Sequence, residues 1–171
     1  GEGQDMLATT PYGSLLRAAL EGKIKGIVAG PNCRTRSVLR HYPIEGNPQA
    51  PRPVRSWGGG EFGAEGLTEE EKKQVREDDL LLWRTIFLYV VAVYAARARG
   101  ESMDPVLSLE QPASPKQYKP EVVSFWDTTE WKQLKEEFNL KECTFQQGHL
   151  GGKTAKPTTF GGSLDLHPED Y

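Results

Sequence analysis

The run Lys23-Ile24-Lys25-Gly26-Ile27-Val28-Ala29-Gly30-Pro31-Asn32-Cys33 decides the fold class. Its first seven residues are short-range, β-branched and closed by Gly30-Pro31, the pattern of a buried strand that ends in a loop. Cys33 therefore follows directly on a strand's carboxyl end, the edge of an open α/β sheet where ligands bind. Upstream, Tyr12, Leu15, Leu16, Ala19 and Leu20 recur at helical spacing, with Thr9 or Thr10 as cap, Pro11 in the first turn and Gly22 as stop.

Downstream, Val106-Leu107-Ser108-Leu109 reads as a second strand and Cys143-Thr144-Phe145-Gln146 as a third. Between them, Thr128 to Phe138 reads as a helix begun by Asp127 or Thr128. Strand, helix, strand, helix, strand predicts an α/β domain with a mainly parallel sheet and flanking helices. A chain of 171 residues fits one such domain over residues 1–171. It opens Gly1-Glu2-Gly3-Gln4-Asp5 without Met and without a basic-then-apolar leader, so it is expected to start inside a longer precursor.

Two long segments fill the space between the first strands. Residues 30–66 hold Pro31, Pro43, Pro48, Pro51, Pro53 and the Gly58-Gly59-Gly60 run, which predicts a long loop, either ordered by contacts or mobile. Residues 68–99 read as one long helix: Thr68 with Glu71 makes a capping box, acids fill the first turn, and Arg97, Arg99 and Gly100 suit its end. From Leu80 to Ala96 this helix is apolar on nearly every face apart from Arg84 and Thr85. That raises a membrane span, but the stretch falls short of the about 20 residues a span needs, so a buried core helix is expected.

The formal net charge of -3, from 21 basic and 24 acidic residues, gives no global attraction to nucleic acid or anionic lipid. Two cysteines are not the dense framework of a small secreted domain, which favours a reducing compartment. His41, His149 and His167 share no metal-ligand spacing with either cysteine, and no phosphate-loop or Gly-x-Gly-x-x-Gly motif occurs, so neither zinc nor a nucleoside triphosphate is expected.

Three features could carry chemistry. Cys33 could be a nucleophile with Arg34 and Arg36 favouring its thiolate, or a small residue packed under a loop. Glu110, at the end of the second strand, would share its cleft if the two strands are neighbours, and a thiol and a carboxyl there could divide attack and proton donation. A carboxylate that caps a helix or pairs with an arginine is the plainer reading. Arg34, Arg36, Arg40, Arg52 and Arg55 make the loop basic, with Glu45 the single acid in their window. They suit phosphate contacts, and equally suit pairing with acids of this chain or of a partner protein.

At these residues the chain resembles the cytosine-5 DNA methyltransferase family, especially the compact methylase-like domains of phages and of algal retroelement polyproteins. Gly30-Pro31-Asn32-Cys33 stands where that family has Gly-Pro-Pro-Cys, whose cysteine attacks cytosine C6. Glu110-Gln111-Pro112 is similar to its Glu-Asn-Val or Glu-Asn-Pro, whose carboxyl holds cytosine N3 and whose amide helps order the cysteine loop. Gln4-Asp5-Met6 resembles Gly-Asp-Ile, which implies that Asp5 meets the adenine of S-adenosylmethionine. The segment from Gln146-Gln147-Gly148 through Lys156-Pro157-Thr158 looks like the late strand pair of phage members.

The resemblance implies a partial, Rossmann-like domain. The family's Phe-x-Gly-x-Gly turn, which cradles the cofactor's methionine part, does not occur in these residues, so no cofactor is expected to bind this form. Two functions follow as expectations: a degenerate, non-catalytic methyltransferase-like module that binds nucleic acid or packs in a larger assembly, and a DNA cytosine-5 methyltransferase completed by upstream sequence and using S-adenosylmethionine. A third has the apolar helix docking the chain as a peripheral subunit on a membrane complex.

Overall fold

The computed structural model describes residues 5–42, 44–47, 50–150 and 156–166. Gln4 of the cofactor match, Pro43 and Pro48 of the loop, the side chain of His149, and His167 lie outside the described residues. The elements run α1 (Thr9–Leu20), β1 (Gly26–Ala29), α2 (Glu69–Ala98), β2 (Val106–Pro112), α3 (Thr129–Glu137), β3 (Lys141–Gln146) and β4 (Pro157–Gly162).

The four strands form one mixed sheet in the order β1-β2-β4-β3. β1 and β2 are parallel, with Val28 opposite Ser108 and Ala29 opposite Leu109. β4 runs antiparallel to both its neighbours, β2 and β3. The expectation of a mainly parallel sheet is thus corrected. β2 and β3 do point the same way across the α3 crossover, but β4 comes back between them and separates them.

β4 is absent from the strand pattern because Pro157, Gly161 and Gly162 read as breakers. Two of them are required by packing. A Cβ at Gly161 would lie 2.4 Å from Trp126 Cζ3, and one at Gly162 would lie 1.9 Å from the Leu107 carbonyl oxygen. The indoles of Trp126 and Trp131 crowd against the bare backbone there, with ring centroids 4.9 Å apart.

All three helices cover one face of the sheet. Leu82, Ile86, Tyr89 and Val93 of α2 bury against Leu107 and Leu109 of β2, together with Trp126 and Trp131. Ala19 of α1 packs on Leu88 and Ala92 of α2. The other face carries Val28, Glu110 and Phe160, the residues that alternate with the buried ones. Val28 is 81% exposed, so β1 is an edge strand covered on one side and not the fully buried strand its composition suggests.

The ends of the elements follow local chemistry. Thr68 Oγ1 accepts from Glu71 N–H, and the Glu71 carboxylate accepts from Thr68 N–H, which completes the expected capping box. Gly100 closes α2 at φ 71°, a conformation that costs a glycine nothing. Thr128 caps α3. At α1 neither Thr9 nor Thr10 caps: Ala8 holds that position without a side-chain bond, and Asp5 organises the turn before it.

By length and composition α2 could cross a membrane, yet fewer than half of the residues in its apolar window are buried in this fold. Its inner face behaves as the expected core helix. Its outer face does not, because Phe87 is 54% exposed.

Candidate functional site

Gly30 to Cys33 leaves β1 beside the end of β2, and two consecutive β2 residues grip it from opposite faces. On the helix side, the Gln111 side-chain amide donates a 2.8 Å hydrogen bond to the Pro31 carbonyl. On the open side, the Glu110 carboxylate lies so near Gly30 that a Cβ there would come within 2.9 Å of Oε2. Parallel pairing of β1 with β2 therefore brings the sequence-identified Cys33 and Glu110 into one corner at the sheet's carboxyl edge.

Lys156, just before β4, is the third member of the group. Its Nζ donates to Glu110 Oε1 at 3.3 Å. Sequence reading included Lys156 only as part of the late strand pair, because its approach to Glu110 depends on β4 inserting beside β2. Burial pushes the half-buried Cys33 thiol above its ordinary pKa; the Lys156 charge pulls it back down, while Glu110 and Asp78 push it further up. Cys33 is thus a thiol held near an ion pair.

Arg34 and Arg36 do not activate Cys33. Arg34 Nε donates to Asp78 Oδ1 and its Nη2 to Glu77 Oε2, both at 3.0 Å. Arg36 Nη2 donates to Asp79 Oδ1 at 3.1 Å. Thr35 between them donates to Asp78 Oδ2 through its backbone N–H and its hydroxyl. The segment after the cysteine is stitched to α2, and its guanidinium groups turn toward that helix.

The rest of the arginine loop follows suit. Arg40 reaches the carbonyls of Arg34 and Arg52 and the amide oxygen of Gln74. Arg52 forms a bidentate pair with Glu71, both bonds 2.8 Å. Arg55 donates to Asp79, to the Glu61 carbonyl and to Thr35 Oγ1. Acids of α2 answer four of the five arginines, so among the described residues the loop is held by contacts with that helix. Arg36 and Arg55 are buried, whereas the side chains of Arg34 and Arg52 stay about half exposed.

Asp5 serves its own turn: Oδ1 accepts from Leu7 N–H at 2.9 Å and its carbonyl from Ala8 N–H at 3.0 Å. Arg84 Nη1 donates to the Met6 carbonyl beside it. This arrangement starts the α1 helix. Among the described residues, no group of three or more His, Cys, Asp or Glu is placed to hold a metal ion. Comparison with protein-family models, curated proteins and solved structures finds no match for the chain.

Proposed function

We propose that this chain is a degenerate, Rossmann-like methyltransferase module that keeps the polar cluster of Cys33, Glu110 and Lys156 and uses it to bind nucleic acid without catalysis. The observation that carries this reading is the grip of Gln111 on Pro31, which holds the Cys33 loop against Glu110 at the ends of two parallel strands. A carboxylate, an ammonium and a thiol there offer an acceptor, a donor and a soft contact to the polar edge of a flat heterocycle. Two features support the absence of turnover: the thiol's pKa is raised, when attack needs a thiolate, and Asp5 is engaged in the α1 turn. Phosphates would be met by the exposed Arg34 and Arg52, since Arg36 and Arg55 are buried against Asp79.

Fluorescence anisotropy with a short cytosine-containing single strand tests the reading. At low salt the chain should bind, and Glu110→Ala should weaken binding by about tenfold, the scale of one charge-assisted hydrogen bond. Replacing Arg34 and Arg52 with Ala should reduce the log-log salt slope by up to about two. Incubation with labelled S-adenosylmethionine should leave the strand unmethylated. Undetectable binding at low salt, or measurable methyl transfer, would overturn the proposal.

A further inference from the structure

Where β2 ends and β4 begins, the helix-covered face of the sheet opens into a cleft of about 400 Å³ that lies outside the Cys33 corner. Thr144 and Gln146 of β3 and Thr159 of β4 alternate with Phe145 and Phe160, so their side chains point to that face and form the floor. Trp126, fixed by a 2.8 Å hydrogen bond from Nε1 to the Pro112 carbonyl, makes one wall. Gln117 and Tyr118, on the segment that follows β2, stand at the rim, and Tyr118 is 61% exposed. The volume is that of a small-molecule site.

The lining selects a neutral ligand. Its one charged group among the described residues, the Glu142 carboxylate, already accepts from Trp131 Nε1 and Lys135 Nζ, both at 2.9 Å. What remains is two carboxamides, an aromatic face and a pair of hydroxyls, Thr144 and Thr159, bonded to each other at 2.6 Å. The Gln146 side-chain oxygen is enclosed without a donor among the described residues, which costs free energy until a donor reaches it. A carboxamide presents a donor beside an acceptor, and the N6–H and N7 edge of adenine returns an acceptor and a donor in matching order. Guanine offers two acceptors on the same edge, so that edge cannot meet the Gln146 oxygen. The Tyr118 ring, open to solvent, supplies a face on which the base stacks.

We infer that this cleft is an adenine site, in which Gln146 reads the N6–H and N7 edge and Tyr118 stacks on the ring. Its connection to the Cys33 corner rests on the nucleic-acid reading given above. Glu110 of the corner and Ala113 of the cleft are three residues apart along the chain, about 10 Å when extended. Lys156 of the corner is the immediate neighbour of Pro157 in the cleft wall. A single strand held at the corner therefore reaches the cleft by turning around this end of the sheet, with one base on each face.

Saturation-transfer NMR of the full chain with free adenosine tests the cleft by itself, with circular dichroism as a folding control. Adenosine should bind, and guanosine should bind about tenfold more weakly, the scale of one unmatched hydrogen-bonding group. Tyr118→Ala should weaken adenosine by about tenfold, as the loss of one stacked base does. Tyr118 is exposed, so that loss reports contact and not unfolding. Gln146→Leu should abolish the preference for adenosine over guanosine. Adenosine binding by a chain that ignores single strands would remove the nucleic-acid reading and uphold the adenine site. Undetectable adenosine binding, binding indifferent to both Tyr118→Ala and Gln146→Leu, or a preference for glucose or maltose over adenosine would each overturn the inference.

Discussion

Gln111 donates its side-chain N–H to the carbonyl of Pro31 at 2.8 Å, and this single bond joins the end of β2 to the loop that carries Cys33. Gln111 is buried, so the bond forms out of water, where an orphaned partner is costly. The neighbouring residue, Glu110, touches the same loop from the other face, so alternation along β2 divides the roles of holding and contacting.

Gln111→Ala should therefore destabilise the fold by about 1–3 kcal/mol, the cost of leaving the buried Pro31 carbonyl without its donor. Urea denaturation measures that loss. The loop should also loosen, and Cys33 should react faster with a small alkylating reagent at constant pH.

Asp79 is the shared acid of two buried arginines. Its carboxylate accepts from Arg36 and Arg55 at 2.9–3.1 Å, and burial together with the Arg55 charge lowers the Arg36 pKa to about 10. Asp79→Ala strands both cations and should cost about 3–5 kcal/mol, as breaking a buried pair does. Adding Arg36→Met should recover part of that loss, so the two changes together cost less than their sum. Denaturant midpoints of the single and double variants give the comparison.

Glu71 links the cap of α2 to the arginine loop. Its bond with Arg52 and the Thr68 N–H pull its pKa from 4.5 down to about 2. A carboxyl with a depressed folded-state pKa contributes its full stability above the unfolded value of 4.5 and loses it as pH falls toward 2. The difference in stability between the native chain and Glu71→Gln should thus be constant above about pH 5 and shrink through that acid window. Thr68→Ala, which removes the other half of the capping box, should cost about 1 kcal/mol at neutral pH.

Much of this was legible in the sequence, and what was not has identifiable causes. The capping box at Thr68, the stop at Gly100 and the start of α3 at Thr128 depend on near neighbours, and each is where local chemistry puts it. The meeting of Cys33 with Glu110 follows from two strand ends and one parallel pairing. β4 could not be read from propensity, because Gly161 is there to admit the ring of Trp126, a residue far along the chain. The same holds for Lys156, whose role appears once β4 lies beside β2. The arginine loop shows the converse: its charge was plain, but its partners Glu71, Glu77, Asp78 and Asp79 belong to a helix read as a separate unit.

Cys33 shares one corner of the sheet with the Glu110–Lys156 ion pair, and the pH dependence of Cys33 alkylation in a Cys143→Ser background tests this most directly. The thiol should titrate above its ordinary pKa of 9.0. Glu110→Gln, which removes a negative charge, should lower that value, and Lys156→Met, which removes a positive one, should raise it. Opposite shifts from the two substitutions would place both charges beside the thiol. A profile that neither substitution moves would contradict the account.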